Sequence, residues 1–336
     1  MNENLISRIC ELYHLGRFTG EVHAVQGGLI HKMWHIQTTQ GEYAIKELNI
    51  RIQDLDSNIS SKNSIQKAYE LTESIAQAFL ESGIPAVAAL KIENEYVAKI
   101  SDKLVIVFEW VEGTSLSVQA VPRDQAFLIG KTIAQIHNTN LEIPDLNRNT
   151  STIFSNEHWE LLFENFLSEF PESASWLSKK LVLDWNKKAK DITEKLQGHR
   201  VLSHGDIDQK NVIWKDSEHP FIIDWESAGL VNPGLELMDA ALNWGGLVSG
   251  EIEEEIIKAL LDGYKSEGAA IAETGSELLS GCIIKWLPWL EFNMQRAVNA
   301  KKGGEEQKLG FSQTQNTLRN LNLIENNFSR WACFLD

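Results

Sequence analysis

The hydrophobic pattern changes character along the chain. Up to about residue 110 the apolar residues fall in short alternating runs, and beyond it they recur mainly at helical spacing. Leu5 to Tyr13 reads as a short helix. Glu21 to Val25, Lys32 to Thr38 and Glu42 to Leu48 read as successive strands, with Gly41 at a hairpin. In the third of these Ala44, Lys46 and Leu48 share a face, so a long cation sits among apolar neighbours; it either finds a buried partner or snorkels to solvent at the strand edge. The next helix starts from Ser64 as N-cap, carries Ile65, Ala68, Ile75 and Phe79 as its stripe, and ends before Gly83 and Pro85. Glu70 falls on its wet face with Gln66, Ser74, Gln77 and Glu81. Glu73 borders the packed side with Tyr69, Ala76 and Leu80, which makes Glu73 the expected partner of Lys46.

Ala86 to Ile92, Tyr96 to Lys99 and Leu104 to Phe108 continue the strand pattern. The last of them runs into Glu109-Trp110-Val111-Glu112-Gly113, a connector between two parts of the chain. Arg123 to His137 is an amphipathic helix with Ala126, Phe127, Ile129, Ile133 and Ile136 inward; His137 at its end reads as a favourable charge-dipole placement without chemistry. Asn138 to Asn156 is a polar loop, followed by helices at Glu157 to Phe170 and Trp176 to Leu196. After Asn232-Pro233-Gly234 comes a helix bearing Glu236 and Asp239. Ala300 to Gly310 is a loop, and a last helix reaches Trp331. The division expected is 1–110 and 111–336, with no internal repeat.

Length supports this division, since 336 residues exceed one typical core. With 43% hydrophobic and 23% charged residues the composition is that of a soluble protein. No basic segment followed by an apolar run opens the chain, and the richest apolar stretch, Cys282 to Leu290, is interrupted by Lys285 and Pro288, so no membrane is expected as partner. Cys10, Cys282 and Cys333 are odd in number and far apart, which fits reduced thiols in the cytoplasm. A net charge of −16 argues against nucleic acid as partner and is compatible with a cation. Gly234 to Ser280, with ten acidic residues against two lysines, holds half of that imbalance. It is either a solvated helix face or a field that attracts an amine-bearing acceptor. Likewise Trp286 to Asn293, with two tryptophans and Glu291, is either core or an aromatic wall suited to an ammonium.

The chemistry concentrates in Val201 to Glu226. His204, Gly205 and Asp206 follow an apolar pair, Asn211 comes five residues after Asp206, and Asp224 thirteen after Asn211, closing the run Phe221-Ile222-Ile223. A strand or tight loop thus delivers one carboxylate, and a hairpin returns an amide oxygen and a second carboxylate beside it. Hard divalent cations take such oxygen ligands. Protein kinases carry His-Arg-Asp with Asn five residues after the aspartate, then Asp-Phe-Gly. With Gly205 in the arginine's place and Trp225-Glu226 after Asp224, this chain resembles the aminoglycoside phosphotransferase and choline kinase family of small-molecule kinases. There is no Ala-Pro-Glu and no long activation segment, which argues against a regulated protein kinase and for a small acceptor.

The resemblance implies an α+β, two-lobed protein-kinase-like fold: a small β-rich nucleotide-binding lobe, then a larger helical lobe carrying the catalytic and acceptor sites. It implies transfer of the γ-phosphoryl of ATP or GTP to a hydroxyl, with Mg²⁺ held by Asn211 and Asp224. Asp206 would orient or accept the acceptor's proton. Lys46 would touch the nucleotide phosphates, positioned by Glu73, with His204 and Glu226 behind the reacting groups. Main-chain groups of Glu109, Trp110 and Val111 would bind the purine edge, unless this stretch is only a connector. Gly27 and Gly28 would cover the phosphates, unless they form only a hairpin turn. The partners expected are a nucleoside triphosphate and a small-molecule acceptor, with the protein a monomer or dimer. Three functions stay open: an antibiotic-type phosphotransferase, a metabolic kinase for choline, homoserine or a sugar, and a nucleotide-binding protein without turnover.

Overall fold

A computed structural model describes residues 1–25, 31–49, 62–141, 143 and 154–335, with side chains left out at 62–64. Gly27 and Gly28 lie outside the described residues. In chain order the elements are α1 (Glu3–Leu12), β1 (Phe18–Val25), β2 (Lys32–Thr38), β3 (Glu42–Glu47), α2 (Lys62–Glu81), β4 (Val97–Ile100), β5 (Lys103–Glu109), α3 (Arg123–Asn138), α4 (Asn156–Glu169), α5 (Lys179–Leu196), β6 (Val201–Ser203), β7 (Val212–Trp214), β8 (Pro220–Ile222), β9 (Gly229–Val231), α6 (Pro233–Trp244), α7 (Glu254–Ser266), α8 (Gly275–Asn299) and α9 (Glu305–Ala332). They form two compact units. One comprises Met1–Ser117, Thr139–Pro144 and Leu202–Gly229, and the other Val118–Asn138, Asp145–Val201 and Leu230–Asp336. The motif from Leu202 onward therefore folds with the amino-terminal strands, 85 or more residues before it, and not with the helices that flank it in sequence.

In the first unit an antiparallel sheet runs β1-β2-β3-β5-β4. Alternation gives it two differently used faces. Ile36, Ile45, Val105 and Val107 pack with Ile6, Ile9 and Cys10 of α1, whereas Leu48, Val97, Leu104 and Ile106 form a second cluster with Tyr69 of α2 and Phe108 against it. Lys46 pairs across the strands with Met33 and Ile106, so its side chain shares the second face. Glu70, expected on the wet face of α2, instead accepts the Tyr96 and Val97 amides at 2.8 Å each and ties α2 to β4. Ala86 to Ile92 is not a strand. Its backbone makes single bridges, Ala86 with Ile222 and Ile92 with Glu95, because the Val87 amide and Pro85 carbonyl bond Ile222.

The second unit is helical. Asn232 caps α6 through Leu235, with Pro233 pre-set at the first helical position, and Thr274 with Glu277 forms a capping box on α8. α8 passes through Pro288 without ending, and α9 already begins at Glu305, inside the stretch expected as loop. His137 is not an idle helix terminus. It is buried, its Nε2 2.6 Å from Glu236 and its Nδ1 3.0 Å from the Tyr264 hydroxyl, so one imidazole joins α3, α6 and α7. Burial, with Glu236 nearby, pushes the Tyr264 phenol up to about 12. Among the described residues no helix is long and apolar enough to cross a membrane.

α3 and α7 approach through glycines. A Cβ on Gly130 would lie 1.9 Å from the Leu260 carbonyl oxygen, and one on Gly263 would lie 2.0 Å from that of Phe127. Helix propensity alone makes Gly130→Ala stabilising by about 1 kcal/mol. The contact reverses the sign: Gly130→Ala is expected to destabilise by about 1–3 kcal/mol, read by chemical denaturation beside Gly229→Ala, whose Cβ meets nothing within 4 Å.

Candidate active site

The site grows from β3, α2 and the returning stretch Leu202–Gly229. Lys46 is committed on both sides: its Nζ lies 2.7 Å from Asp224 Oδ1 and 2.8 Å from Glu226 Oε2, with only 6% of the side chain exposed. Burial pulls the ammonium's pKa down, and attraction to Asp224 and Glu226 outweighs it, leaving the group raised and charged. Glu226 is squeezed the other way. Burial raises its carboxyl, but hydrogen bonds from His31 and Lys46 and the Lys46 charge bring it down to about 2. His31 is a site residue that the sequence did not single out. Its Nδ1 accepts the Asn49 amide at 3.1 Å, which leaves Nε2–H for the Tyr69 hydroxyl at 2.6 Å and Glu226 at 3.4 Å.

Glu73, expected to hold Lys46, is buried on the predicted side of α2 but makes no ion pair with it. Its Oε2 is buried without a hydrogen-bond partner. Desolvation drives its carboxyl up to about 8 against the pull of the Lys46 charge and the Ala89 amide. The difference from expectation is geometric: Asp224 and Glu226 reach the ammonium directly, and their combined charge makes a third carboxylate costly.

Asp206 and Asn211 bond directly, and Asp224 follows Ile223, whose amide bonds Asn211. Asn211 Nδ2 donates to the Asp206 carbonyl at 2.8 Å and to its carboxylate Oδ2 at 3.1 Å, and the Asn211 carbonyl accepts the Ile223 amide at 2.9 Å. His204 is fully buried behind them. Its Nε2 donates to the Ile223 carbonyl (3.0 Å) and its Nδ1 accepts the Asp206 amide (3.2 Å), which fixes a neutral tautomer. Trp225 locks this assembly onto α2. Its indole N–H bonds the Ile222 carbonyl at 3.0 Å, and its ring stacks on Phe79 with centroids 5.2 Å apart and meets His204 edge-on at 4.7 Å.

Two backbone positions make the loop possible. Asp224 sits in the left-handed region at φ 62°, ψ 61°, a conformation aspartate tolerates better than most side chains. Gly205 has φ 82°, and a Cβ there would stand 2.4 Å from the Ser227 carbonyl oxygen. Glycine is thus demanded by a close approach between the loop and the turn after Asp224.

The loop also carries two charged residues that the sequence reading passed over. Asp208 Oδ1 accepts the Lys210 and Asn211 amides, and Lys210 Nζ lies 2.9 Å from Asp208 Oδ2 and 3.5 Å from Asp206 Oδ2. Burial and the Asp206 charge raise Asp208, while Asp206, Asp208 and Asp224 together overcome burial and raise Lys210. Both positions stood inside the motif, two and four residues after Asp206. Charges at those offsets were the available signal; His31 and Tyr69 offered none.

Asp206, Asp208, Asp224 and Glu226 outnumber the ammoniums of Lys46 and Lys210 two to one, so the cluster favours a further cation. A metal fits the donors. Asp224 keeps Oδ2 unengaged, and Asn211, with its Nδ2 spent on Asp206, keeps Oδ1. Among the described residues no group of three or more His, Cys, Asp or Glu forms a metal cage. Of the three residues expected at the purine edge, Glu109 ends β5 opposite Tyr43. The Trp110 amide is used by the Glu42 carbonyl at 2.9 Å, and its ring stacks on His35 at 3.9 Å. Val111 follows half-buried.

The sequence profile of the phosphotransferase enzyme family matches residues 21–271. No curated protein matches the chain. Among solved structures, a spectinomycin phosphotransferase in complex with ADP and spectinomycin is similar in fold, with a TM-score of 0.70 at 16% identity, over 97% of this chain and 99% of that one. An amicoumacin kinase in complex with AMP-PNP and Ca²⁺ gives 0.65 at 14% identity, over 95% and 93% of the two chains. A choline kinase from Cryptosporidium parvum Iowa II gives 0.59 at 12% identity, over 97% of each. The fold is the α+β, kinase-like one that the motif implied, and the chain belongs to the phosphotransferase enzyme family.

Proposed function

We propose that this phosphotransferase is a Mg²⁺-dependent kinase that moves the γ-phosphoryl of ATP or GTP to a hydroxyl of a small, amine-bearing molecule of the antibiotic type. The observation that carries the reading is the clustering within one unit of Asp206 on Asn211 and of Asp224 on Lys46. Asp206, held by Asn211, orients the acceptor hydroxyl and takes its proton. Lys46 reaches the α/β-phosphates, with Glu73 behind it. Asn211 Oδ1 and Asp224 would hold the metal, which when bound neutralises phosphate charge. The purine edge lies along Glu109 to Val111, where Val111 rather than Trp110 has an amide to offer. The amine-bearing acceptor is supported by the net charge and by the fold neighbours, among which are a spectinomycin phosphotransferase and a choline kinase.

One observation favours the second reading, a metabolic kinase for choline, homoserine or a sugar. Within the acidic segment, Glu236, Asp239, Glu254, Glu255, Glu267 and Glu277 are each paired to a basic or histidine side chain of the same unit. Most of that charge is therefore spent inside the fold rather than displayed to a polycation. A coupled assay of nucleoside diphosphate release across aminoglycosides, spectinomycin, macrolides, choline, ethanolamine, homoserine and sugars separates the two readings. Mg²⁺-dependent nucleotide binding with no turnover on any acceptor would favour a binding protein instead.

Three variants test the residue roles. Asp206→Asn is expected to lower kcat at least about 10³-fold while nucleotide still raises the melting temperature; an unchanged kcat would sink the assignment. Asp224→Ala should abolish the Mg²⁺ dependence of nucleotide affinity, and persistence of that dependence would refute the metal role. Glu73 gives a pH signature. Its folded pKa of about 8 lies above the ordinary 4.5, so the folded state holds the proton more tightly. The stability from this group is full below pH ~4.5 and is lost as pH rises through ~8. The stability difference between the protein and Glu73→Gln, from denaturation without nucleotide, should therefore shift against the native residue by a few kcal/mol between pH 5 and 9; a flat difference contradicts it.

A further inference from the structure

Lys210 has no role in the scheme above, yet it lies against the proposed base. Asp208 holds it. That carboxylate is oriented by the Lys210 and Asn211 amides on Oδ1, at 3.1 and 3.3 Å, and places its Oδ2 2.9 Å from Lys210 Nζ. The same ammonium stands 3.5 Å from Asp206 Oδ2, beyond the 2.7–2.9 Å of a charge-assisted hydrogen bond. Asp206 is already fixed by Asn211 at 3.1 Å. Lys210 is thus not the clamp on Asp206. It is a cation seated by Asp208 just beside it.

An ammonium has three donors. Asp208 takes one of them, Asp206 faces the ammonium from farther off, and the Lys210 side chain is 57% exposed, so a donor is open to an incoming oxygen. Lys46, by contrast, is buried and directed at Asp224 and Glu226. A base takes a hydroxyl proton from about 2.6–3.2 Å. The acceptor oxygen on Asp206, and the phosphorus bonding to it, therefore fall within reach of the Lys210 ammonium.

We propose that Lys210 is a second phosphoryl-binding cation of this site, contacting the γ-phosphoryl group as it passes to the acceptor, with Asp208 as the residue that positions it. The inference rests on the kinase reading and on Asp206 as its base. In the step the acceptor oxygen forms its bond to the γ-phosphorus as the bond from that phosphorus to the β–γ bridging oxygen breaks. The electron pair leaves on the nucleoside diphosphate, the hydroxyl proton passes to Asp206, and Lys210 stays protonated throughout. Its contribution is to charge spread over the equatorial oxygens, which is largest in the transition state.

The test needs no knowledge of the acceptor. Calorimetry on the full chain, on Lys210→Met and on Lys210→Arg compares Mg²⁺-ADP alone with Mg²⁺-ADP plus aluminium fluoride, a mimic of the phosphoryl group in flight. The expected result is that fluoride tightens binding to the unaltered chain and that Lys210→Met loses at least tenfold of this gain. Affinity for ADP alone should stay within about twofold, and Lys210→Arg should keep most of the gain. Circular dichroism checks that the exposed substitutions leave the fold intact. Equal fluoride gains in the unaltered chain and Lys210→Met, or no gain in either while ADP binds, overturn the role of Lys210 alone. Failure of the unaltered chain to bind Mg²⁺-ADP would remove the kinase reading and this inference together.

Discussion

The constraint on which the first unit depends is the burial of one ammonium. Lys46 lies on a sheet face otherwise made of Leu48, Val97, Leu104 and Ile106, and an unpaired charge there would cost several kcal/mol. The carboxylates that relieve it come from 178 and 180 residues further along the chain. Forming that contact requires the return of Leu202–Gly229 to the amino-terminal sheet. The other devices serve the same return: Trp225 stacked on Phe79, Ile222 bonded to Pro85 and Val87, and Trp214 exchanging hydrogen bonds with Thr114. On the proposed function folding and chemistry share this interaction, since Asp224, which relieves the lysine, would hold the metal and Lys46 would meet the phosphates.

The same contact sets the charge state of its surroundings. Burial is the main reason that the Glu73 carboxyl is displaced upward to about 8, and the charges of Asp224 and Glu226, already sharing Lys46, add to it. Asp206 and Asp208 do for Lys210 what Asp224 and Glu226 do for Lys46, but at the surface, where the ammonium keeps an open side. The two lysines are therefore not equivalent. One is a buried charge whose partners hold the fold together, and the other is a half-exposed charge whose partners only aim it. A bare triphosphate would meet net repulsion from this cluster, which a divalent cation carried with it would reduce.

What could be read from the sequence follows the range of the interactions. The strands other than Ala86 to Ile92, and the stripe of α2, are local patterns of side chains against backbone, and they appear where period puts them. Glu73 was placed on the correct face, yet its expected ion pair is absent, because helical periodicity states which way a residue points and not which competitor arrives first. Glu70 was misread for a related reason: its partners are backbone amides of Tyr96 and Val97, which no side-chain pattern announces. His31, Tyr69 and the His137, Glu236 and Tyr264 cluster depend on contacts across 38 to 127 residues, and nothing in their neighbourhoods marks them.

Gly205 changes how the acceptor is argued. Protein kinases have arginine at this position, a side chain that can pair with a phosphorylated loop, and its loss would by itself point to a small acceptor. The structure supplies a different reason, since any Cβ there would collide with the Ser227 carbonyl whatever the acceptor. A residue required by backbone contact carries little information about substrate. The case for a small acceptor then rests on the absence of an activation segment and on family membership. The case for a cationic one loses the acidic segment as simple support, because most of its carboxylates are already paired. Net charge therefore does not separate an antibiotic from a metabolite, and the individual side chains that an acceptor-bound structure would show against the acceptor are what would.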